Sequence, residues 1–349
     1  MVRREGEKAI VELMDNDGDP RGILGVSYKN GEEIVHEKDR PLLTEAELSN
    51  LPIPYQNPEV RKSRLMNTVI TSRGCPHDCA FCSVTTFYGQ RYRRRSNKSV
   101  MQQIAFEHSL KPHEATFFAD DNFAGRPKEA IELTEQIAEA GLVHPDHSTQ
   151  LSIYAASNPK LLESLRRAGI TTIFIGVESI NQDTLDSFNK KVSVEQNKEA
   201  IRIFREFGFW IHGMMMVGGD GDTKESLKET LVFSKDNFDT VQYFTPIPVP
   251  GTRFAAEMKS AGRILPADYS YYDGQYVLIR PNHFSPYELQ MEVLKMYQDF
   301  YSYKNIRPML QSQNPLRSLA FRYFAHQIIK GIYQSPQTQS YLKFLRDTK

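Results

Sequence analysis

Cysteine is scarce in this sequence: its 349 residues contain three, and all three lie in the stretch TSRGCPHDCAFCSVTT, residues 71–86. An odd number of clustered cysteines does not suit a disulfide framework, so the small disulfide-stabilised secreted folds are excluded. No cysteine outside this stretch remains for a second metal centre or for a catalytic thiol. Thiol chemistry in this chain is therefore confined to one short loop.

The sequence also lacks net charge and long apolar runs. Lys and Arg together number 43, as do Asp and Glu, so no overall charge favours nucleic acid or a membrane as a partner. No segment approaches the ~18 uncharged apolar residues of a membrane span. The first residues, MVRREGEKAIVELMD, are charged throughout and lack the apolar run of a signal peptide. These absences predict a soluble, cytoplasmic protein in a reducing compartment, without a membrane span and without a nucleic-acid partner.

What the chain does contain is a regular alternation of strand-like and helix-like segments. The strand-like segments are short and almost continuously apolar, and they fall at 65–72, 114–123, 148–156, 171–179, 210–219 and 240–252. Such strands are typical of a parallel sheet covered on its faces by helices. Residues suited to helix capping precede the helix-like segments: Ser99, Asn158, Ser193 and Asp222. Six strand–helix units predict an α/β fold, an open partial (βα)6 TIM-like barrel, because a closed barrel needs eight.

The two ends of the chain do not fit the barrel pattern. Residues 1–65 contain Asn30-Gly31 between alternating segments, which predicts a hairpin, followed by a Pro-bearing linker. Residues 66–252 hold the six units. Residues 253–349 form a mainly helical extension, with one helix expected to begin at Ser285. The sequence therefore predicts three parts: a hairpin and linker, a barrel, and a C-terminal helical extension.

The three cysteines, Cys75, Cys79 and Cys82, have the spacing C-x3-C-x2-C in a loop with Gly and Pro. Thiolates this close together suit a soft metal centre. A structural zinc site needs four closed ligands, and only His77 in the same loop could supply the fourth. A [4Fe–4S] cluster is normally held by four thiolates, so three leave one iron open to an outside ligand. Spacing and loop context favour the cluster over zinc.

This loop resembles the signature of the radical SAM superfamily, C-x3-C-x-aromatic-C, with Phe81 at the aromatic position. The resemblance implies that S-adenosylmethionine (SAM) binds the open iron through its amino and carboxylate groups. It also implies that reductive cleavage of SAM yields a 5′-deoxyadenosyl radical, which takes hydrogen from a small-molecule substrate for methylation or rearrangement in biosynthesis. A reductant such as flavodoxin or ferredoxin is implied as a partner.

The same resemblance assigns six further residues to the SAM site: Asp120, Asp121, Asn122, Glu178, Lys190 and Gly213. The polar residues of 120–122 stand where relatives hold the SAM amino group, although the commoner family motif is Gly-Gly-Glu. Glu178 corresponds to a ribose contact, Lys190 to a carboxylate contact, and the stretch from Gly213 to the adenine contact. The alternatives are structural: loop capping for 121–122, a solvated charge for Lys190, and core packing for the adjoining methionines.

The run GQRYRRRS, residues 89–96, follows the cysteine loop. Its arginines could bind nucleic acid, or hold a carboxylate or phosphate of SAM or substrate. With zero net charge and no second basic block, a solvated loop is the expected arrangement.

Within the superfamily, the chain is most similar to the cobalamin-dependent branch, through the cysteine loop, FFADDNF and PIPVPGT. Residues 1–65 resemble the connector that joins a cobalamin-binding domain to the barrel. The cobalt-ligand motif D-x-H-x-x-G is absent, since no His has an Asp two residues before it. Cobalamin is therefore unlikely on this chain alone, and a separate cobalamin-domain protein is a candidate partner. The competing interpretation is a non-catalytic cluster- or SAM-binding partner, or a fragment of a split cobalamin-dependent methyltransferase.

Overall fold

A computed structural model describes residues 1–55, 57–302, 305 and 315–348 of the chain. The strands of the described residues are β1 (Ser27–Asn30), β2 (Glu33–His36), β3 (Asn67–Val69), β4 (Ser72–Arg73), β5 (Arg93–Arg94), β6 (Thr116–Phe118), β7 (His147–Leu151), β8 (Ile170–Glu178), β9 (Trp210–Met216) and β10 (Thr240–Phe244). Two short 3₁₀ turns span Ile153–Ser157 and Tyr269–Tyr271.

The helices of the same residues alternate with these strands. They are α1 (Glu7–Asp15), α2 (Glu45–Ser49), α3 (Pro58–Ser63), α4 (Ser83–Tyr88), α5 (Asn97–Leu110), α6 (Pro127–Glu139), α7 (Pro159–Arg167), α8 (Gln182–Ser187), α9 (Val194–Glu206), α10 (Lys224–Asn237), α11 (Arg253–Ser260), α12 (Pro286–Phe300), α13 (Pro315–Gln334) and α14 (Pro336–Asp347).

Six strands form one parallel sheet in the order β3-β6-β7-β8-β9-β10, with β3 and β10 at its edges. At least one helix lies in the chain between each pair of consecutive strands. This arrangement confirms the predicted α/β fold and its six strand–helix units, and it agrees with an open partial barrel. Because the six strands run in the same direction, their carboxyl ends all lie at the same end of the sheet. The loops that follow the six strands therefore lie together at that end.

Buried residues recur along the strands with a period of two. In β9, Ile211, Gly213 and Met215 are buried and alternate with partly exposed residues. Gly213 lies against α10, since a Cβ added there would come within 2.4 Å of the Phe238 ring. The helices contribute matching apolar stripes; that of α7 consists of Leu161, Leu162 and Leu165. This stripe is part of the hydrophobic core.

Most predicted helix starts are confirmed, including those at Asn158, Ser193 and Ser285. Two predicted caps were wrong. The residue that caps α5 is Ser96, whose Oγ accepts from the backbone N–H of Ser99, so Ser99 already lies inside the helix. The cap of α10 is Thr223, because the buried carboxylate of Asp222 instead accepts the backbone N–H of Gly218.

Tyrosines of α12 cover the edge of the sheet at β10. The hydroxyl of Tyr301 accepts from Val241 N at 2.9 Å and donates to Val241 O at 2.8 Å, and the hydroxyl of Tyr297 accepts from Tyr243 N at 2.8 Å. An uncovered edge strand leaves unpaired backbone groups that attract other strands. Helix α12 therefore covers the edge of the sheet at β10, while the predicted boundaries between the three parts stay a prediction.

The N-terminal hairpin is confirmed. Strands β1 and β2 pair antiparallel, with Asn30 opposite Glu33 and Gly31 at a φ of 62° in the turn between them. The N-terminal segment is tied to the barrel by ion pairs, in which Glu5 accepts from Arg73 at 2.8 Å and from Arg93 at 2.9 Å.

The arginine run is not the solvated loop that the sequence predicted. Arg93 and Arg94 are buried, and Arg94 Nη1 donates to the Phe123 carbonyl at 3.3 Å. Arg95 Nη1 donates to Gln103 Oε1 at 2.6 Å. Arg93 pairs with Glu5 of the N-terminal segment and Arg95 with Gln103 of α5, so the run connects these elements. Arg93 and Arg94 nevertheless each keep two buried guanidinium nitrogens without a hydrogen-bond partner among the described residues.

None of the described helices has the length and apolarity needed to cross a membrane.

Candidate functional site

A cavity of about 330 Å³ opens at the carboxyl ends of the parallel strands, and the cysteine loop forms one of its walls. Five strands contribute residues at or just after their carboxyl ends. These are Asp121 and Asn122 after β6, Gln150 to Ser152 from β7, Gly176 and Glu178 of β8, Met214 and Met216 of β9, and Phe244 to Val249 from β10. The lining is completed by Lys190, by the three cysteines and by four other residues of the cysteine loop and α4: His77, Phe81, Ser83 and Val84. This is the side of a parallel α/β fold where ligands usually bind.

The cysteine loop is fixed from both of its ends. Gly74 precedes it with a φ of 89°, and a Cβ there would lie 2.0 Å from the carbonyl oxygen of Arg91. Within the loop, Asn189 Nδ2 donates to the Asp78 carbonyl at 2.6 Å, and Arg253 Nη2 donates to the same carbonyl at 2.7 Å. The thiols are therefore carried by a backbone that neighbouring elements hold in place.

All three thiols face the cavity and are partly exposed. Burial raises the pKa of Cys75 and Cys82, and it raises that of Cys79 to about 11. Among the described residues, no three His, Cys, Asp or Glu side chains are arranged to hold a single metal ion. A [4Fe–4S] cluster places its irons at separate corners, so its thiolates need not converge on one point. Cluster binding would release the thiol protons.

The two aspartates after β6 hold the backbone that leads into the cysteine loop. The structure does not bring Asp120 to the cavity: it is buried, its carboxylate accepts from Thr71 Oγ1 at 2.8 Å and from Ser72 Oγ, and burial raises its pKa. Asp121 does line the cavity, where its Oδ2 accepts from Gly74 N at 3.0 Å. Loop capping, the alternative given for Asp121, describes the contacts of that carboxylate, and Asp120 makes contacts of the same kind.

Of the three polar residues at 120–122, Asn122 is the one with a buried side-chain oxygen that lacks a hydrogen-bond partner among the described residues. Its side chain is buried and lines the cavity, and its Oδ1 has no hydrogen-bond partner among the described residues. A buried polar atom without a partner costs free energy, so such atoms are commonly completed by a ligand or water. The Oδ1 accepts hydrogen bonds only, which suits the ammonium group of an amino acid. The residues present therefore fit SAM beside the three thiols.

Lys190 and Glu178, which also line the cavity, form an ion pair. Lys190 Nζ donates to Glu178 Oε1 at 3.0 Å and to the Gly176 carbonyl at 3.0 Å. Burial alone would lower the pKa of Lys190, but the Glu178 carboxylate raises it above the usual value. Lys190 is thus a charged group inside the site, and the predicted alternative of a solvated surface lysine does not describe its contacts.

A bulge in β8 gives Glu178 its position. Gly176 pairs with Met214 and Glu178 with Met215, so Val177 is extra, and Glu178 takes a left-handed φ of 65°. A Cβ on Gly176 would lie 2.5 Å from Glu178 Oε1. Left-handed backbone at a non-glycine residue costs energy and is concentrated at functional sites. Because Gly176 has no Cβ and the bulge shifts the register, the Glu178 carboxylate can lie at the cavity wall.

The apolar wall of the cavity differs from the prediction at one residue. Gly213 faces α10, away from the cavity, whereas its neighbours Met214 and Met216 line the cavity. On the cysteine loop, Phe81 also lines the cavity and packs edge-on against Phe188, with ring centroids 5.3 Å apart. Core packing is the predicted alternative for these methionines. It accounts for only part of their contacts, because Met214 and Met216 also line the cavity.

Several lining residues were not singled out from the sequence. Gln150 and Ser152 come at and just beyond the end of β7, and Phe244 ends β10. The rule that functional residues gather at the carboxyl ends of parallel strands could have indicated the first two. His77, which the sequence offered only as a fourth zinc ligand, lines the cavity from the cysteine loop and stacks on Tyr154 with ring centroids 5.2 Å apart.

Comparison with known families gives one match: residues 69–233 fit the family model of the Radical SAM superfamily. This range contains the three cysteines and the strands from β6 to β9.

Two curated proteins illustrate the sequence similarity. An uncharacterized methyltransferase of Pyrococcus horikoshii is 28% identical over 314 residues, which is 86% of this chain and 67% of that protein. The anaerobic magnesium-protoporphyrin IX monomethyl ester cyclase of Cereibacter sphaeroides is 30% identical over 325 residues, 87% of this chain and 51% of that protein. The chain thus spans about two thirds of the first relative's length and about half of the second's.

Solved structures share the fold. The cobalamin-dependent SAM radical enzyme OxsB, with aqua-cobalamin bound, superposes with a TM-score of 0.69 at 18% identity, covering 98% of this chain and 58% of that one. The radical SAM methyltransferase TsrM of Kitasatospora setae, with cobalamin and a [4Fe-4S] cluster bound, gives a TM-score of 0.62 at 17% identity and covers 76% of this chain and 55% of that one.

Proposed function

This chain belongs to the radical SAM superfamily, and from that premise we propose that its cavity holds a [4Fe–4S] cluster on Cys75, Cys79 and Cys82, with SAM beside it. When bound and reduced by one electron, the cluster and SAM supply a 5′-deoxyadenosyl radical, which takes a hydrogen atom from a small-molecule substrate. The observation that carries the proposal is the meeting of three thiols, an unpartnered amide oxygen and a buried ion pair in one cavity.

In this proposal the protein binds and orients. Asn122 Oδ1 accepts from the SAM ammonium group, because the oxygen is buried and has no partner among the described residues. Lys190 lines the same cavity and supplies a positive charge toward the SAM carboxylate, while Glu178 holds that lysine and can accept from the ribose hydroxyls. Met214 and Met216 offer a polarizable apolar surface for the adenine ring. In this proposal Gly213 and Asp120 do not contact SAM and have structural roles.

The reaction that follows hydrogen abstraction is proposed to be methyl transfer if a separate cobalamin-domain protein supplies the methyl group, and a rearrangement of the substrate otherwise. The relative from Pyrococcus horikoshii is named a methyltransferase and aligns with most of this chain. A small reducing protein such as flavodoxin or ferredoxin would supply the electron. The substrate is proposed only as a small molecule, since the cavity volume is typical of small-ligand sites.

The proposed activity has a direct test. Anaerobically reconstituted protein, reduced with dithionite and given SAM without substrate, should slowly release 5′-deoxyadenosine as uncoupled turnover, measured by liquid chromatography. The same sample without dithionite is the control and should release none. An intact cluster with no release above that control would contradict the proposal and favour the non-catalytic partner.

Cobalamin provides a second expected result. The described part of residues 1–65 forms α1, the β1–β2 hairpin and the short helices α2 and α3, without a β–α–β unit. Cobalamin is bulky and needs a dedicated concave surface. A protein of these 349 residues should therefore bind hydroxocobalamin more weakly than micromolar in equilibrium dialysis. Tight binding by this chain would refute the expectation, and binding only after a separate cobalamin-domain protein is added would support a split methyltransferase.

A further inference from the structure

The outward side of α13 is apolar. Six large apolar side chains of this helix are exposed: Leu316, Leu319, Phe321, Tyr323, Phe324 and Ile328. The opposite side packs on the protein, where the buried Arg322 donates to the Phe300 carbonyl at 2.8 Å. Leu316, Phe324 and Ile328 are 80%, 64% and 61% exposed, and their four- and eight-residue spacing places them along one ridge of the helix. Monomeric soluble proteins rarely expose a contiguous apolar patch of this kind.

Charge is concentrated in the same part of the chain. Residues 301–349 contain eight Lys and Arg but a single acidic residue, Asp347, although the whole chain has equal numbers of both. Exposed cations of the described part include Lys330 on α13, and Lys343 and Arg346 on α14. Lys330 is seven residues from Tyr323, so it lies on the same side of the helix as the aromatic ring. The exposed apolar ridge is thus part of a basic segment.

We propose that α13 binds the surface of a membrane containing anionic lipids. Exposed aromatic and aliphatic side chains on a helix, combined with Lys and Arg, are typical of helices that lie in the interface between headgroups and acyl chains. No described helix could cross a bilayer, so the helix would lie on the surface.

A second copy of the chain is the competing occupant of this ridge. Self-association through the same face on both copies would bring two basic segments together, since closed dimers use the same patch twice. Like charges at an interface oppose that association, whereas an anionic lipid surface attracts them. Charge therefore favours the membrane.

The test is co-flotation of the full chain with two kinds of vesicles. Vesicles of equimolar phosphatidylcholine and phosphatidylglycerol should carry the protein to the top of a density gradient, and pure phosphatidylcholine vesicles should carry much less. Phe324→Ser with Ile328→Ser should weaken the binding at least about ten-fold, because each buried side chain of this size contributes more than a factor of ten. The matched control is Val232→Ser on α10, another exposed apolar residue, which should leave binding unchanged.

Lys330→Glu should weaken binding to the anionic vesicles, and raising the salt concentration should do the same. Circular dichroism melts of all variants separate lost binding from lost folding. Equal binding to both kinds of vesicle, or no binding by a folded wild-type chain, would overturn the proposal. The proposal would also be overturned by a combination of two results. The wild-type chain would form a dimer in sedimentation equilibrium that the chain with Phe324→Ser and Ile328→Ser does not form, and the substitutions would leave flotation unchanged. None of these measurements requires SAM cleavage, so failure of the proposed activity would not affect them.

Discussion

Replacing any one of Cys75, Cys79 or Cys82 by Ala should reduce the iron content from about four per chain to near zero and abolish the release of 5′-deoxyadenosine. Each thiolate would hold one iron, and no other cysteine exists to replace a lost one. Iron and sulfide assays, together with the electron paramagnetic resonance spectrum of the reduced protein with and without SAM, measure the effect. Wild-type protein should show a cluster signal that SAM perturbs.

A matched control separates cluster loss from general damage to the loop. Thr86 lies on α4, four residues beyond Cys82, and its exposed hydroxyl makes only a long contact of 3.3 Å to the Gly251 carbonyl. Thr86→Ala should therefore retain iron, the SAM-perturbed signal and SAM cleavage. Stoichiometric zinc in the wild-type chain, or full iron content in a cysteine variant, would show that the three thiols do not bind a [4Fe–4S] cluster.

Gly176→Ala should weaken SAM binding by at least about ten-fold while leaving the iron content unchanged. The added Cβ would lie 2.5 Å from Glu178 Oε1 and 3.5 Å from Lys190 Nζ, so the ion pair would have to move out of its position. The Glu178 carboxylate can rotate away from the added methyl group, but this movement would break its 3.0 Å hydrogen bond with Lys190 Nζ. Anaerobic equilibrium dialysis with labelled SAM measures the change in affinity.

Gly331→Ala is the matched control for this substitution. Gly331 lies in α13, and a Cβ there would meet no atom within 4 Å. An alanine in a helix is favourable by roughly 1 kcal/mol relative to glycine, so this variant should bind SAM as wild type does and melt at an equal or higher temperature. Unchanged SAM affinity in Gly176→Ala would remove the Lys190–Glu178 pair from the proposed SAM site.

Local sequence carried much of the information about the fold. Short, almost continuously apolar strand segments, and helix caps such as Asn158 and Ser193, depend on residues a few positions apart, so they could be identified from the sequence. The cysteine loop belongs to the same class of feature, because the three thiols lie within eight residues of one another. Short-range patterns therefore determined the fold class and the candidate metal ligands.

Contacts between distant segments decided the rest. The sequence placed Asp120, Asp121 and Asn122 together after a strand, but only the packing of β6 against the cysteine loop gives each its surroundings. Likewise, the bulge in β8 and the register of β9 decide which side chains reach the cavity.

The arginine run shows the same limit, since its buried ion-pair partner Glu5 lies 88 residues earlier than Arg93. A run of charged residues is expected to be solvated unless the segment that forms ion pairs with it is known. What the sequence alone determined is a six-unit α/β barrel with a three-thiol loop. The tertiary structure decided which polar groups share the cavity with that loop, because side-chain direction and burial depend on contacts that no local pattern records.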